Sequence, residues 1–208
     1  MRLYFLILLV VWSVWLFLMN SLGYWPLFTE NWFMSVTMMF GSFIAGATSE
    51  GGGAVAFPVM TLGYNISPEV ARDFSLMIQS VGMLAASIVI ILNNIEVEWR
   101  AILFASIGGV LGIILGIDFL SPALSPTMTK LFFVSAWLGF GIALIWVNRD
   151  RERHTHSQID TLLKRDSVLI LLVGFIGGLV SGVTGSGLDI VTFSLLVLYF
   201  SISEKVAT

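Results

Sequence analysis

Two acidic residues in this sequence could take part in chemistry because each lies in a long apolar stretch beside small residues. Glu50 precedes a run of three glycines, and Asp189 follows a Gly-Ser-Gly triplet. An ionised carboxylate is costly in apolar surroundings, so each is expected to take up a proton or to find a partner. At least one of them is a candidate for binding and releasing a proton. The alternative, which the sequence leaves open, is that either carboxylate stabilises the N-terminus of the helix that follows it.

The composition indicates what surrounds these acids. The chain has 208 residues, of which 57% are hydrophobic and 11% charged, with no cysteine, and its mean hydropathy is +0.96. Soluble chains carry about 25% charged residues, so a soluble enzyme, a nucleic-acid binder and a disordered tail are all disfavoured. We predict an all-α integral membrane protein, a polytopic helical bundle whose partner is the lipid bilayer and not nucleic acid. The lack of cysteine excludes disulfides and cysteine metal sites.

Glycine clusters interrupt two of the apolar stretches. Each glycine costs about 1 kcal/mol relative to alanine inside a helix, so we expect two half-helices and an unwound centre in each stretch. Unwound backbone at membrane depth is tolerated where it is buried in protein or lines a cavity, and its N–H groups with the half-helix dipole could hold a small anion. The residues predicted to line such a substrate path are Thr48, Ser49, Gly51, Gly52, Gly53, Thr184, Gly185, Ser186 and Gly187.

Other small residues favour close packing between helices. The glycines assigned to helix packing are Gly41, Gly46, Gly177, Gly178 and Gly182. No residue is predicted to be catalytic, and no cofactor or metal is expected. His154 and His156 lie in a charged loop without further ligand spacing, and Arg72 is interpreted as a solvated loop charge.

The charges also predict the orientation of the chain. Five of the ten basic residues lie in 148–166, which places that loop in the cytoplasm. We expect a multi-pass protein of a prokaryotic inner or plasma membrane. The predicted parts are an additional N-terminal helix with an outer loop (1–30), a first transmembrane repeat (31–147), the charged loop (148–166) and the start of a second repeat (167–208). Each broken segment is either a re-entrant hairpin or a single span, and the basic bias favours the hairpin for the first.

The division into repeats comes from an internal similarity. At an offset of 136 residues, 41–72 aligns without gaps onto 177–208, with eleven identical pairs that include Thr48/Thr184 and Gly51/Gly187. A complete second copy would need about three helices after residue 208, so we expect the chain to be the N-terminal part of a longer protein. An odd number of crossings per copy would make the two copies inverted, as in many secondary transporters.

The repeated segment resembles the TauE/SafE-type sulfite exporter family. The first copy reads GSFIAGATSEGGGAVAFPVMTLGYNISPEVARDFSL, and the second reads GGLVSGVTGSGLDIVTFSLLVLYFSISEKVAT. The second copy departs from the pattern, because Leu188 and Asp189 replace two glycines and Ser194 stands in place of Pro58. The resemblance implies secondary, ion- or proton-coupled transport of small sulfur-containing anions such as sulfite, sulfonates or related organic acids.

Two further readings remain. One is a non-transporting membrane scaffold or assembly protein, since a fold does not dictate a function. The other is an intramembrane aspartyl protease, which would need Asp189 to pair with Asp118 or Glu50 and has no supporting motif. A homo-oligomer is also possible, and the substrate, the direction of transport and the coupling ion are open at this stage.

Overall fold

The computed structural model describes residues 2–48, 50–147, 155–159 and 163–208. Among these residues the regular structure is helical, which confirms the all-α prediction. The helices are α1 Arg2–Leu22, α2 Pro26–Glu30, α3 Trp32–Ala47, α4 Gly53–Pro58, α5 Pro68–Leu92, α6 Trp99–Leu115, α7 Ser121–Ala123, α8 Pro126–Val147, α9 Lys164–Thr184, α10 Leu188–Ser194 and α11 Glu204–Ala207. Turns of π-helix continue α4, α6 and α10 over Val59–Gly63, Gly116–Leu120 and Leu195–Tyr199.

Five helices in the described part of the chain are long and apolar enough to cross a membrane. They are α1, α5, α6 with its continuation to Ala123, α8 and α9. Their outer faces carry exposed apolar side chains such as Phe5 (64% exposed) and Ile145 (73% exposed). Water would not favour such faces, whereas lipid would, so the prediction of a polytopic membrane protein is confirmed.

Both broken segments form hairpins. In the first, the ring of Phe33 at the start of α3 stacks on that of Tyr64 after α4, with centroids 4.1 Å apart. In the second, His156 precedes α9, and its backbone N–H and C=O pair with Ser201 and Ser203 after α10, both at 2.9 Å. Each broken segment therefore begins and ends on the same side of the bundle.

The two hairpins enter from opposite ends of α5. The open end of the first packs on Ala71 and Phe74 near the start of α5. The open end of the second packs on Ala101 of α6, which follows the other end of α5. The copies are therefore inverted, and their backbones match at the offset of 136: both π-turns agree in position, and Asn65 and Ser201 share a left-handed φ of 52°.

Glycines let α6 and α9 cross almost backbone to backbone. Along α9, Gly174, Gly178 and Gly182 recur every fourth residue, and Gly108, Gly112 and Gly116 do the same along α6 and its continuation. A Cβ on Gly178 would lie 2.9 Å from the Cα of Gly109, and one on Gly182 would lie 2.8 Å from the Cα of Gly116. Small residues every fourth position form a flat stripe on which backbones can meet.

The other predicted packing glycines differ among themselves. A Cβ on Gly177 would lie 3.0 Å from the Cα of Leu188, so this glycine lets α10 fold back on α9. Gly41 is buried, and a Cβ at this position would lie 3.3–3.6 Å from Met38, Gly52 and Val55. Gly46 has open space where its Cβ would be, so its assignment to close packing is wrong in this structure. It lies where α3 extends beyond the close contact with α4, and it lines a cavity instead.

Two local expectations need correction. Part of the predicted outer loop is helical, because α2 begins at Pro26. Helix α5 begins at Pro68, because proline is well suited to the first turn of a helix and Ser67 before it has a non-helical backbone. Arg72 is therefore helical and only 8% exposed, and its guanidinium donates to Asp73 and Ser121 at 2.7–2.8 Å.

The loop preceding α9 contacts the second hairpin. Ile159 is buried, its N–H donates to Glu98 at 3.0 Å, and its carbonyl accepts from Arg100 at 2.8 Å. These contacts hold 155–159 at the end of the bundle where α5 ends and α6 begins. Most of the predicted loop 148–166, including His154 and three of its basic residues, lies outside the described residues, while its last three residues belong to α9.

Candidate substrate site at the junction of two helix breaks

The N-termini of two half-helices meet in the middle of the bundle. The half-helices Gly53–Gly63 and Leu188–Tyr199 run toward opposite ends. At 1.5 Å per residue they are about 16 and 18 Å long, which together match the roughly 30 Å of a bilayer core. Their N-terminal ends carry partial positive charge, so the junction favours an anionic group near the midplane.

The carboxylate of Asp189 occupies this junction. Its Oδ1 accepts hydrogen bonds from the backbone N–H groups of Gly187 and Ile190, both at 3.0 Å. Its Oδ2 accepts one from the N–H of Gly51 in the other break at 3.1 Å, and the hydroxyl of Ser186 lies 3.4 Å away. One side chain therefore joins the two repeats. Its hydrogen bonds also stabilise the N-terminus of α10, which is the alternative role that the sequence left open.

Glu50 lies across the same space and has a different partner. Its Oε2 accepts a hydrogen bond from the indole N–H of Trp137 on α8 at 3.0 Å. The ring of Trp137 stacks on Phe133, which in turn contacts the buried Phe57 of α4, with ring centroids 4.1 and 4.8 Å apart. This aromatic column connects the first half-helix to α8 and ends at the Glu50 carboxylate.

Gln79 of α5 packs against both breaks. Its side-chain N–H donates to the carbonyl of Gly185 at 3.1 Å. A Cβ on Gly51 would lie 2.9 Å from the Gln79 side chain, and one on Gly53 would overlap the Gln79 amide nitrogen. Neither Gln79 nor Trp137 was predicted from the sequence to belong to the site. An isolated amide in the apolar stretch 74–92 was the signal available for Gln79, whereas nothing separates Trp137 from the other tryptophans.

The glycines of the two breaks serve different needs. Gly185 ends α9 with φ of 81°, and Gly187 has φ of 147°, so both have backbone conformations that side chains disfavour. The three glycines 51–53 have no positive φ. They are needed for space, because Met38, Ser75 and Gln79 approach where their side chains would lie.

The hydroxyl groups of the breaks brace the backbone. Thr48 donates to the carbonyl of Ile44 at 2.9 Å and accepts from the N–H of Glu50 at 3.1 Å. Thr184 donates to the carbonyl of Ser186 at 2.7 Å, and its hydroxyl also lies 3.0 Å from the carbonyl of Val180. In this structure these hydroxyl groups are therefore bonded to backbone groups of the breaks and of the helices that precede them. Ser49, also predicted for the substrate path, lies outside the described residues.

A cavity of about 420 Å³ opens beside the junction. Three of the predicted path residues line it, namely Thr48, Gly51 and Gly52. The other predicted path residues that the structure describes do not line it. Both Glu50 and Asp189 face it, and none of its lining residues in the described chain is a lysine, arginine or histidine. A smaller cavity of about 250 Å³ also reaches Asp189 and is lined by Thr192, Glu98 and Lys205 among others.

Both cavities lie on one side of the junction. On α5, the larger one is lined from Ile78 to Ala86, and the smaller one begins at Ile90, so both lie toward the 155–159 end. On the other side, Met34, Phe57, Met60, Ala71 and Phe133 form a buried apolar cluster that fills the space. The cavities therefore give access to the junction from the side that holds 155–159, and the apolar cluster packs against the opposite side.

The comparison with protein families agrees with this arrangement. The family model described as Sulfite exporter TauE/SafE matches residues 35–208. The chain belongs to this family. The match begins within α3 and covers both hairpins, while α1 and α2 precede it. No curated protein and no solved structure gives a significant match.

Membership of the TauE/SafE family assigns the protein to a class of membrane transporters for sulfur-containing anions. The predicted resemblance is thereby confirmed. The junction is therefore a candidate transport site.

Proposed function

We propose that this TauE/SafE protein carries small sulfur-containing anions, such as sulfite, sulfonates or related organic acids, through the junction of its two helix breaks. The observation that carries the proposal is the meeting of two opposed half-helix N-termini at Asp189, where two cavities also converge. Backbone N–H groups and dipoles hold an anion without a fixed positive charge. Such a neutral site binds weakly enough to release its substrate, as a carrier must.

The charges beside the junction support coupling to protons. An anion that enters the larger cavity faces Glu50 and Asp189, and none of the described lining residues carries a positive charge to offset them. Two like charges 4 Å apart repel by about 4 kcal/mol at an effective dielectric constant of 20. Protonation of at least one carboxylate would remove much of this repulsion, so we propose that proton uptake accompanies anion binding.

The proposal includes a cellular setting. The protein would lie in the inner or plasma membrane of a prokaryote, with 148–166 in the cytoplasm because its basic residues favour that side. With this orientation, the accessible side of the junction faces the cytoplasm. A second copy of the protein is a proposed partner within the bilayer.

The test is a transport assay on the purified protein in proteoliposomes. Labelled sulfite, thiosulfate, alkylsulfonates and carboxylates are offered with and without a pH gradient. We expect gradient-driven flux of at least one sulfur anion. In the double variant Glu50→Gln, Asp189→Asn we expect downhill flux that no longer responds to the gradient, because neither side chain can then carry a proton. If no anion crosses in the wild type, the scaffold reading is favoured; if the double variant still follows the gradient, these carboxylates do not carry the proton.

A further inference from the structure

The hydrogen-bond donors around Asp189 are arranged as they would be around the oxygen atoms of an oxyanion. Two oxygen atoms of one planar group accept from three backbone N–H groups at 3.0–3.1 Å, contributed by both breaks. The nearby hydroxyl of Ser186 belongs to a residue that is only 2% exposed. A sulfonate, sulfite or thiosulfate group presents two oxygen atoms in a similar way. The carboxylate therefore occupies the donors that such a substrate would need.

We propose that Asp189 is a built-in competitor of the transported oxyanion, which leaves these donors when it is protonated, so that a proton and an anion bind together and move in the same direction. This inference rests on the proposed function and adds the direction of coupling. A carboxylic acid accepts hydrogen bonds more weakly than a carboxylate, so protonation frees the N–H groups for the anion. The proton comes from water in the cavity, binds a carboxylate oxygen, and returns to water on release; no other bond is made or broken.

The charged groups around Asp189 support a shared site. Glu50 is the charged residue that shares the larger cavity with it, and the charged residues that share the smaller cavity are Glu96, Glu98 and Lys205. On α5, the guanidinium of Arg72 is engaged by Asp73 and Ser121.

The remaining elements add no nearby cation. The half-helix Gly53–Gly63 has no charged residue, and the charges of α9 lie at its distant start, namely Lys164, Arg165 and Asp166. Among the described residues, no lysine, arginine or histidine lines the larger cavity, and Lys205 in the smaller cavity is outnumbered there by Glu96 and Glu98. By thermodynamic linkage, the proton and the anion then favour each other's binding.

The test measures proton movement during anion flux. Proteoliposomes that hold the protein and a trapped pH dye receive an inward gradient of thiosulfate or an alkylsulfonate, whichever the wild type carries, with the membrane voltage clamped. Both anions stay ionised near neutral pH, so they cannot carry the proton themselves. We expect the interior to acidify as the anion enters, in the wild type and in the control Asp118→Asn, which alters an exposed acid that lines neither cavity.

Two variants then assign the proton. In Asp189→Asn the acidification per anion that enters should fall to the level of protein-free liposomes, whereas in Glu50→Gln the acidification per anion should keep the wild-type ratio. Alkalinisation in the wild type, or acidification that persists in Asp189→Asn, would overturn the inference while leaving the transport function intact. If Asp189→Asn does not fold, the direction of proton movement in the wild type still decides between cotransport and exchange. Absence of any anion flux in the wild type would instead count against the proposed function.

Discussion

Replacement of Gly178 by valine is expected to prevent the chain from accumulating in its folded form. A Cβ at this position would lie 2.9 Å from the Cα of Gly109 and still closer to its carbonyl oxygen. Overpacking of a core costs about 1–3 kcal/mol when side chains can move aside. Here the obstacle is backbone of the neighbouring helix, so α6 and α9 must separate along their whole crossing and the cost should exceed that range.

The matched control for this prediction is Gly139→Val. Gly139 lies on α8 with nothing within 4 Å of its Cβ position, so the same substitution adds no collision there. Size-exclusion profiles and thermal unfolding in detergent compare the two variants. We expect a monodisperse Gly139→Val protein with nearly wild-type stability, and little or no folded Gly178→Val. Equal stability of the two would show that the α6–α9 crossing does not hold the bundle together.

The second large effect concerns the contact between Gly53 and Gln79. Alanine at position 53 would overlap the Gln79 amide nitrogen and force that side chain away from the carbonyl of Gly185. A buried carbonyl left without a donor costs about 1–3 kcal/mol. Such a cost corresponds to about a 5- to 150-fold change in an equilibrium, so we expect Gly53→Ala to lower the rate of anion uptake by a factor in this range.

A double-mutant cycle separates this contact from a general loss of folding. Gln79→Ala removes the nearest obstacle and the hydrogen bond and leaves the approach of Ser75 Cβ at 3.0 Å, so Gly53→Ala should cost less in the Gln79→Ala background than in the wild type. The control is Gly63→Ala at the other end of the same half-helix, where the Cβ meets open space. If the two losses multiply independently, Gln79 is not the reason that position 53 is glycine.

The sequence carried enough information for the breaks, the duplication and the membrane class. The matched glycine clusters and the offset of 136 predicted two helix breaks, and the structure repeats its π-turns at the same offset. These features follow from local propensity and from similarity between copies. Neither local propensity nor similarity between copies depends on knowing which helices are in contact.

The partners across the junction could not be predicted in this way. The hydrogen bond from Gly51 to Asp189 joins residues far apart in the chain, and it exists because inverted half-helices meet at the midplane. The regular spacing of glycines on α6 and α9 was visible, but spacing alone does not say which two stripes pack together. The interpretation of Arg72 as a loop charge was wrong because α5 already begins at Pro68, so Arg72 lies in the second turn of a helix and is buried.

The two copies have diverged where the chemistry is concentrated. Asp189 stands at the position that Gly53 occupies in the first copy, and Ser186 stands at the position of Glu50. One copy therefore supplies a carboxylate at the half-helix N-terminus, while the other supplies room for Gln79 and a carboxylate bonded to Trp137. An exact symmetry would place like groups on both sides, and this departure from it lets a single carboxylate bridge the breaks.

The central claim is that sulfur anions pass through the cavity beside the junction, and substrate protection of single cysteines tests it most directly. The 208-residue chain has no cysteine. Gly82 lines the cavity and has open space at its Cβ, whereas Gly139 has the same open space and lies outside the cavity lining. The measurement is the rate at which a sulfonate-bearing methanethiosulfonate reagent labels Gly82→Cys and Gly139→Cys, with and without a saturating transported alkylsulfonate. The account predicts that the anion slows labelling at position 82 and leaves position 139 unchanged; labelling at position 82 that is indifferent to the anion would contradict it.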